Sequence, residues 1–566
     1  MYDYIIVGAG SAGCVLAARL SADPSVSVLL LEAGLADDAD EIRAPAAVSR
    51  LFQSAYDWNY TTVPQHRAGG RSIYWPRGKV LGGSSSMNAM VYMRGNRYDF
   101  QTWRDEYGCT GWGYEDLLPY FRRAEDNSRG ASAYHGTGGP LAVSDPRYKS
   151  QACEAFLGAA QEQGAVPNPD FNGQRQDGVG WYQLTQRDGR RCSAATAYLH
   201  PAMSRPNLTV YTEALVTRVL IDGEQATGVT YLHKGEIETA RANSEVILCG
   251  GAVNSPQLLM LSGIGPADHL IESGISVHAD SPGVGANLSD HPMVPVIWST
   301  PKLRGLWEKS GNGSAMRWRL THRGPLTSNV AECGGFAHSE PRLPAPDLQL
   351  HVLPAPYRDQ GLADPAQRAM TVLVGLVDVR SRGLIRLRSA DPRHRPSIDP
   401  GYLSDGGGDA RALLAGLKMA REFVTARPMA AVCKSELAPG AHLRSDAELM
   451  DYVRASVVTL YHPVGTCAMG RESKWSVVDT ELRVRGVTGL RVVDASVMPA
   501  VPRGNTNAPT IAIAERASDL IAGRAPLAPV DPADPVDAIA IAASEAVDRP
   551  RTRVRMGIRT GGGNAA

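Results

Sequence analysis

The sequence lacks any uninterrupted apolar run near 18 residues, about the length that a membrane-spanning helix needs. We therefore expect no transmembrane segment, while a peripheral contact with a membrane surface stays open. A strand-like run begins at Tyr2, directly after Met1, without the basic and apolar stretches of a signal peptide before it. These absences predict a cytoplasmic location.

The sequence also has no excess of either charge and contains few cysteines. Its 58 Lys and Arg equal its 58 Asp and Glu, which argues against a nucleic-acid partner because such partners select a basic excess. The eight cysteines lie singly, with no CxxC pair and no His/Cys cluster at the spacing of a metal site. This distribution predicts reduced thiols and no bound metal.

Glycine is what the sequence has in excess, at 58 of 566 residues against a usual share of about 7%. The glycines follow no G-X-Y period, so the excess indicates tight turns or places where the backbone closely approaches a ligand. A chain of this length has room for several domains and a large core.

The first glycine cluster is Gly8-Ala9-Gly10-Ser11-Ala12-Gly13. It lies between a predicted strand over residues 4–7 and a predicted helix from Cys14, and the next strand ends at Glu32. In such a β-α-β unit the three glycines allow a tight turn, close approach to a pyrophosphate and close helix packing, while the acidic residue binds a ribose. The fingerprint predicts a dinucleotide site without deciding between NAD and FAD. The alternative is a ligand-free turn with a solvated carboxylate beside it.

A second small-residue loop runs from Arg77 to Tyr92 and contains Gly82-Gly83-Ser84-Ser85-Ser86. Because these residues carry no bulky side chains, the main chain can press against a flat or phosphorylated ligand. Asn88 follows the loop and offers a donor and an acceptor to a polar ring edge. The alternative is an ordinary Ser/Gly surface turn.

The middle of the chain has a different pattern of predicted strands and helices from its two ends. Outside the middle, strands are predicted over residues 208–211, 216–221, 229–232, 245–249 and 490–493. The block over about residues 300–455 has predicted strands over 349–353 and 370–376 and a helix over 410–425. We interpret it as a second domain inserted into the first. From Arg524 the sequence is Ala/Pro/Asp-rich and then Arg/Gly-rich, which predicts a flexible tail.

Two late motifs carry groups suited to taking a proton from a hydroxyl group. They are Tyr461-His462-Pro463-Val464-Gly465-Thr466-Cys467 and Gly504-Asn505-Thr506-Asn507-Ala508-Pro509-Thr510. The unperturbed pKa of His, about 6.5, suits His462 to act as a base. Asn505 does not compete for the proton but can hydrogen-bond the same oxygen and hold it in place. Taken alone, a single His is more often structural than catalytic.

The second of these motifs also predicts the start of a helix over Ala508–Ile521. Asn507 would be its N-cap, and Pro509 lies in its first turn. The N-terminus of such a helix would stabilise negative charge on a bound group. Ordinary capping is the structural alternative, and the two readings are compatible.

Over approximately residues 1–522 the sequence resembles the glucose-methanol-choline (GMC) oxidoreductases. The resemblance rests on the two loops with Glu32, on 250–257 and 262–265, and on the two late motifs. It implies FAD, held by Gly8, Gly10, Ser11, Gly13, Glu32, Val80, Gly83, Asn88, Met90, Val216, Asp494, Asn507 and Thr510. Some members tether FAD through a His of the second loop, but Met87 stands at that position here. Non-covalent FAD is therefore expected.

The resemblance also implies an α/β fold in which a Rossmann-like FAD-binding domain is interleaved with a substrate domain. The substrate domain would be built on an antiparallel sheet with helices. The FAD-binding domain would comprise residues 1–150, 192–300 and 455–523. The substrate domain would comprise residues 151–191 and 301–454, and the tail residues 524–566.

The activity implied is oxidation of a primary alcohol to an aldehyde by hydride transfer to flavin N5. His462 would be the general base, Asn505 would position the substrate oxygen, and electrons would pass to a quinone-type acceptor or oxygen. Within the family, the motifs most resemble those of bacterial FAD-dependent alcohol dehydrogenases with a non-nicotinamide acceptor and those of choline dehydrogenase. A lyase of the hydroxynitrile-lyase kind, with FAD that does not turn over, is the alternative of another class. A non-catalytic flavoprotein is disfavoured because both late residues are intact.

Four further residues bear on the substrate. Glu332 and His351 match positions that contact a quaternary ammonium group in choline oxidisers, and Trp58 and Tyr461 offer aromatic faces to a cation. The Glu also occurs in relatives that oxidise aliphatic alcohols, so we place a primary aliphatic alcohol ahead of choline. Ala468 replaces an Arg often found just after the first late motif, which leaves the local polarity and the preference for acceptor or substrate open.

Overall fold

The computed structural model describes residues 1–363 and 365–532. Two seven-stranded sheets form the framework of this part of the chain. The first sheet is mixed, with strands Leu208–Tyr211, Val28–Leu31, Tyr2–Val7, Glu236–Leu248, Gln225–His233 and Ala214–Asp222 in that order, and with Leu490–Val492 on the outer side of Glu236–Leu248. This confirms the predicted α/β class and all five strands predicted outside the middle block.

The parallel strands of the first sheet end at one common edge. Val7 pairs with Leu31 on one side and with Leu248 on the other, and Leu248 pairs with Val492. The segments that follow these four strands therefore leave the sheet side by side. Ligands of open α/β sheets bind at such a carboxyl edge.

The second sheet is antiparallel. Its strands are Glu436–Ala438, Pro292–Ser299, Ala369–Leu376, Leu348–Leu353, Cys333–Ala337 and Gly178–Trp181, with Val458–Thr459 pairing on Pro292–Ser299. Every residue of Leu348–Leu353 and Ala369–Leu376 is buried, because both faces of the sheet are covered. Leu348 lies beneath Gly416 of the covering helix. Since side chains alternate along a strand, Gln349 points to the opposite face.

The remaining elements cover and connect the two sheets. The longer helices are Ser11–Leu20, Arg97–Asp105, Tyr114–Ala124, Gln151–Glu162, Gly251–Leu261, Ala267–Glu272, Asn312–Thr321, Gly408–Thr425, Asp446–Ser456 and Asn507–Ile521. Short helices span Asp40–Arg43, Val48–Leu51, His200–Ala202, Leu306–Lys309 and Arg427–Ala430. Two-stranded ribbons pair Tyr60–Thr61 with Tyr74–Trp75, Glu125–Asn127 with Leu141–Val143, Gln186–Arg187 with Arg190–Arg191, Ile264–Gly265 with Ala279–Asp280, and Leu384–Arg386 with Ser397–Asp399. No helix within the described ranges is long and apolar enough to cross a membrane.

The two ends of the described chain meet in the core. Helix Ser11–Leu20 packs on helix Asn507–Ile521, which also contacts Tyr114–Ala124. The buried carboxylate of Glu515 pairs with Arg19 at 2.7 Å and with Arg123 at 2.7 Å. A buried carboxylate needs such partners because an unpaired one would be strongly destabilising.

Two strands belong to a different sheet from the one that the predicted domain boundaries imply. Pro292–Ser299 and Val458–Thr459 lie in the second sheet, although the sequence placed them with the cofactor-binding domain. Pro292–Ser299 pairs with Ala369–Leu376, and Val458–Thr459 pairs with Pro292–Ser299. Pairing between such distant segments leaves no local signal in the sequence.

The start of the predicted tail also differs from its prediction. Residues 524–532 lie against helix Tyr114–Ala124 instead of running free. The Leu527 amide donates to the hydroxyl of Tyr120 at 2.9 Å, and the Val530 amide donates to the carbonyl of Glu115 at 2.9 Å. The rest of the predicted tail, residues 533–566, lies outside the described residues.

Candidate active site

A cavity of about 870 Å³ lies between the two sheets. Its lining includes most of the residues predicted to bind the cofactor, namely Gly8, Gly10, Ser11, Glu32, Gly83, Asn88, Met90, Val216, Asp494, Asn507 and Thr510. It also includes His462, Asn505, His351, Tyr461 and Trp58. The fold thus brings the two predicted glycine loops and the two late motifs to one space.

The glycines of the first loop serve different purposes. A Cβ on Gly8, whose φ is +99°, would lie 2.6 Å from the carbonyl oxygen of Cys249. A Cβ on Gly13 would lie 1.9 Å from the carbonyl oxygen of Gly8, so this glycine is required for helix packing and does not line the cavity. At Gly10 the nearest protein atom would be 3.8 Å away. Protein packing therefore admits a side chain there, and its absence keeps the cavity open for a ligand.

The second loop touches the first and orients an amide. A Cβ on Gly83 would lie 2.8 Å from the Cα of Gly10. The Oδ1 of Asn88 accepts hydrogen bonds from the Met90 amide at 3.0 Å and from Nη1 of Arg191 at 2.9 Å. With its oxygen occupied in this way, Asn88 presents its NH₂ group as the donor available to a ligand.

Arg191 is a residue that the sequence interpretation missed. Its guanidinium is buried behind the second loop and also donates to the backbone carbonyls of Asn88 at 2.6 Å and Ile42 at 2.8 Å. Burial lowers the pKa of Arg191 to about 9. No local pattern marks it, because its role depends on a loop that lies about a hundred residues earlier in the chain.

Val80, which is predicted to lie near the cofactor, is found behind the second loop. It belongs to a small buried cluster with Ile42, Leu51 and Met87 and does not line the cavity. It supports the second loop from behind, where an apolar side chain gains from burial.

Two carboxylates at the edge of the first sheet are held by backbone groups. The Glu32 oxygens accept from the amides of Ala9 and Gly34, each at 2.8 Å, and burial raises the pKa of Glu32 to about 7. Asp494 accepts from the Gly251 amide at 2.8 Å and from Ser255 Oγ at 2.6 Å, and burial raises its pKa. Both residues line the cavity, where a carboxylate can accept a hydrogen bond from a hydroxyl group.

The helix Asn507–Ile521 begins at the cavity wall. Thr506 is its N-cap, so Asn507 is the first helical residue and not the predicted cap. The Oδ1 of Asn507 instead accepts from the hydroxyl of Ser11 at 2.7 Å and ties the helix to the first glycine loop. The free amides of a first helical turn favour negative charge on a bound group.

His462 and Asn505 form a pair at the other end of this lining. His462 Nε2 lies 3.1 Å from Asn505 Nδ2, and His462 Nδ1 lies 3.0 Å from Nδ1 of His291. Asn505 Oδ1 accepts from Gln349 Nε2 at 3.2 Å. The two late motifs are thus joined in a hydrogen-bonded chain with residues of the second sheet and its approach.

The backbone of His462 is fixed by Asp290. The His462 amide donates to Asp290 Oδ1 at 2.6 Å, and Thr459 Oγ1 donates to Asp290 Oδ2 at 2.6 Å. The Tyr402 hydroxyl donates to the same Oδ2. Sequence interpretation missed Asp290 and His291, although the adjacent Asp-His pair stands just before strand Pro292–Ser299.

The buried setting keeps these imidazoles neutral. Burial lowers the pKa of His462 well below its usual value, and the positive charge of Arg77 acts in the same direction. Burial likewise lowers the pKa of His291 to about 3 and that of His351 to about 4. At neutral pH each imidazole therefore has a lone pair that can accept a proton or a hydrogen bond.

The residues predicted to contact the substrate do not all reach the cavity. Tyr461, whose hydroxyl lies 2.5 Å from that of Tyr357, and His351 line it. Glu332 does not, because its carboxylate is buried and accepts from the Ser150 amide at 2.7 Å and from Ser328 Oγ at 2.6 Å.

Two other residues are less suited to contact the substrate directly. Trp58 lines the cavity, but its ring stacks on Tyr60 at 5.8 Å and has the Lys79 ammonium 4.9 Å from its centroid. This ring already holds a cation. Ala468 is buried, and it does not line the cavity.

Comparisons with known proteins agree with this arrangement. The family model described as GMC oxidoreductase matches residues 2–293, and a second model with the same description matches residues 379–514. Mitochondrial choline dehydrogenase of Homo sapiens is 46% identical over 541 residues, which cover 93% of this chain and 90% of the relative. The alcohol dehydrogenase [acceptor] of Pseudomonas putida is 45% identical over 537 residues, which cover 93% and 97%.

Among solved structures, pyridoxine 4-oxidase from Mesorbium loti superposes with a TM-score of 0.84 at 35% identity, over 92% of this chain and 98% of that one. The chain belongs to the GMC oxidoreductase family. Membership confirms the predicted fold and the prediction of an FAD-dependent oxidoreductase. The cavity fits that cofactor, since it joins an open glycine loop, a helix N-terminus and two hydroxyl-accepting carboxylates.

Proposed function

We propose that this GMC oxidoreductase oxidises the CH–OH group of a primary alcohol to an aldehyde, with His462 as general base and Asn505 positioning the substrate oxygen. The observation that carries the proposal is the pair itself. A neutral, buried imidazole lies 3.1 Å from a carboxamide, and both line the cavity that also contains the cofactor loops. Such a pair can bind one hydroxyl oxygen from two sides.

When bound, FAD supplies the acceptor for the hydride that leaves the carbinol carbon. Gly10, Glu32, Asn88, Asp494 and the first turn of helix Asn507–Ile521 would hold it, with no covalent link expected at Met87. The protein's own part in the reaction is to remove the hydroxyl proton. The O–H electron pair stays on oxygen and becomes the second bond of the carbonyl as the C–H pair departs.

His462 Nε2 takes this proton. The lowered pKa of His462 keeps the imidazole neutral before the reaction at neutral pH. Asn505 cannot take the proton, so it keeps the oxygen beside Nε2 throughout. His351 also lines the cavity, and its ring is neutral at neutral pH. It can bind the same oxygen or a substituent next to it.

We place a neutral alcohol ahead of choline as substrate. Identity does not separate the two, because the human choline dehydrogenase and the Pseudomonas alcohol dehydrogenase are 46% and 45% identical to this chain. The position of Glu332 favours the neutral alcohol, because the carboxylate offered for a quaternary ammonium group is engaged with Ser150 and Ser328. Trp58, which already has Lys79 over its ring, is a poor second cation site.

The test is anaerobic mixing of the purified yellow protein with a series of alcohols, from straight-chain to aromatic, and with choline. We expect the flavin absorbance to bleach fastest with a neutral primary alcohol and the aldehyde to form in equal amount. Bleaching by choline alone would overturn the substrate assignment. No bleaching with any alcohol, but cleavage of a hydroxynitrile, would overturn the oxidation in favour of a lyase.

The electron acceptor is tested in the same apparatus. The bleached protein is mixed with oxygen-saturated buffer or with a soluble quinone, and the return of absorbance is followed. Both acceptors are compatible with the proposal, and the faster one identifies the class of acceptor that the reduced protein prefers. Failure of both would contradict an oxidoreductase that turns over with a quinone or with oxygen.

A further inference from the structure

The orientation of the Asn505 amide determines which nitrogen of His462 carries its proton. Gln349 Nε2 donates to Asn505 Oδ1 at 3.2 Å, so Asn505 turns its NH₂ group toward His462 Nε2, 3.1 Å away. A nitrogen that receives an N–H donor must hold a lone pair. His462 Nε2 is therefore unprotonated, and the proton of the neutral ring lies on Nδ1.

The same reasoning extends to the next ring. His462 Nδ1 lies 3.0 Å from Nδ1 of His291, with the two rings edge to face at 86°. Since His462 donates in this bond, His291 accepts with Nδ1 and carries its own proton on Nε2. Nε2 of His291 is buried and forms no hydrogen bond within the described residues.

The opposite arrangement is less favourable. It would turn both amides over, protonate His462 on Nε2 and make His291 the donor. The unpaired buried group at Gln349 is now its carbonyl oxygen Oε1. After the reversal it would be an NH₂ group with two donors. His291 Nε2, which also has no partner, would change from one N–H to a lone pair. The reversal therefore leaves two unpaired buried N–H bonds in place of one, and such groups are rarer in proteins than carbonyls with unused lone pairs.

We propose that His291 and Gln349 are positioning residues that hold His462 in the tautomer whose Nε2 is unprotonated. This inference rests on the proposed function, in which Nε2 takes the substrate proton. Neither residue lines the cavity, so each acts through a neighbour: Gln349 through Asn505, and His291 through Nδ1 of His462.

The hydrogen bond from His462 to His291 also stabilises the positive charge that forms on His462 during the reaction. When the hydroxyl proton moves to Nε2, His462 becomes an imidazolium that keeps its Nδ1 proton. Its bond to His291 is then charge-assisted and stronger. His291 can serve in this way because it is neutral, its pKa having fallen to about 3. A cationic ring at that place would repel the imidazolium.

The tautomer is tested by nitrogen NMR of holoenzyme labelled with ¹⁵N-histidine. The signals of His462 are identified by their loss in His462→Gln. We expect wild type to show a proton on Nδ1 and none on Nε2. His291→Leu and Gln349→Leu remove the two outer members of the Gln349–Asn505–His462–His291 hydrogen-bonded chain, one at a time. Each variant should give a mixture of tautomers. His291→Asn, whose carboxamide oxygen replaces the Nδ1 acceptor, should restore the wild-type pattern.

The kinetic consequence is measured as the rate constant for anaerobic flavin reduction by the best alcohol. Loss of the hydrogen-bond partner of a metal-bound His typically costs about 10–100-fold. By analogy we expect a loss of this size in His291→Leu, with recovery to within a few-fold in His291→Asn. The acid limb of the pH profile should also move to lower pH in His291→Leu, since the imidazolium loses its acceptor. His442→Gln, a change at an exposed histidine, is the matched control.

The outcomes separate this inference from the proposed function. A wild-type His462 protonated on Nε2, or a His291→Leu enzyme with unchanged tautomer and rate, overturns the inference. Normal flavin reduction in a variant without His462 would overturn the proposed function, whatever the tautomer. A poorly folded His291→Leu leaves Gln349→Leu to decide, because that variant keeps the partner of Nδ1.

Discussion

The two ends of the cavity are formed by different parts of the polypeptide. The cofactor end is made of backbone: glycines at residues 8, 10 and 83, the first turn of a helix, and carboxylates held by main-chain amides. The substrate end is made of side chains from distant segments that meet in the Gln349–Asn505–His462–His291 chain. A backbone site depends on local sequence, whereas a side-chain site depends on how separate elements pack. Substitutions at the two ends should therefore fail in different ways.

The largest effect is expected from His462→Ala. Removing a general base typically costs about 10²–10⁴-fold, so flavin reduction by alcohol should fall by that factor while the protein stays yellow. The cofactor end does not contain this side chain, which is why FAD should be retained. Stopped-flow absorbance and FAD content measure the two properties, with His442→Ala as a surface control. Undiminished reduction would remove His462 from the mechanism.

The next comparison is made within the first glycine loop. Gly13→Ala places a Cβ 1.9 Å from the Gly8 carbonyl oxygen, and such overpacking costs about 1–3 kcal/mol or more of stability. Gly10→Ala meets no protein atom closer than 3.8 Å. It should leave the fold intact and weaken FAD binding by about tenfold or more, which corresponds to about 1.4 kcal/mol.

Thermal unfolding and FAD titration distinguish these two variants. Gly313→Ala, in a helix where a Cβ would meet nothing within 4 Å, is the control. If Gly10→Ala bound FAD like wild type, the first loop would not be the pyrophosphate site.

The pH dependence tests the electrostatics of the substrate end. A base must be unprotonated to act, and burial lowers the pKa of His462 well below its ordinary value. The rate constant of flavin reduction should therefore stay level as the pH falls through about 6.5, the usual pKa of His, and decline only in more acidic buffer. An inflection at or above neutral pH would show that the imidazole is not buried as described.

A smaller effect on catalysis is expected from Glu332→Gln. Its carboxylate is bonded to Ser150 and Ser328 outside the cavity lining. Stability should fall by about 1–3 kcal/mol, as for other disrupted buried hydrogen bonds. The ratio of kcat/KM for choline to that for an aliphatic alcohol should not change. A selective loss with choline would mean that Glu332 reaches the substrate after all.

The smallest effect is expected from shortening the chain. Ending it at Gly523 instead of Pro532 removes the bonds from Leu527 to Tyr120 and from Val530 to Glu115, each contributing about 0.5–1.5 kcal/mol. Melting temperature should fall slightly, while FAD content and the rate of flavin reduction stay the same. Loss of FAD would show that this segment supports the cofactor end through helix Asn507–Ile521.

The contrast between the two ends also explains which residues sequence interpretation found. The cofactor loops are contiguous, and a turn that needs φ of +99° at Gly8 leaves its mark in the sequence itself. His462 and Asn505 were found through their motifs and the resemblance. Asp290, His291 and Gln349 were missed because nothing near them in the sequence indicates a partner 156 to 172 residues away.

Misplaced predictions have the same origin. Neither Glu332 nor Val80 lines the cavity, because Glu332 is bonded to Ser150 and Ser328 and Val80 packs in a small apolar cluster behind the second loop. Asn507 has the preference of an N-cap, yet Thr506 takes that place and the Asn507 side chain accepts a hydrogen bond from Ser11 instead. In each case a contact from a distant segment prevails over local preference.

By itself, the sequence determined the α/β fold, the family, the cofactor and the first cofactor loop, because turns, strand periodicity and glycine positions are properties of neighbouring residues. The tertiary structure alone decided the direction of each side chain at the substrate end and the order of donors and acceptors along Gln349, Asn505, His462 and His291. Those features depend on distances between segments far apart in the chain. Such distances are set only when the two sheets pack together.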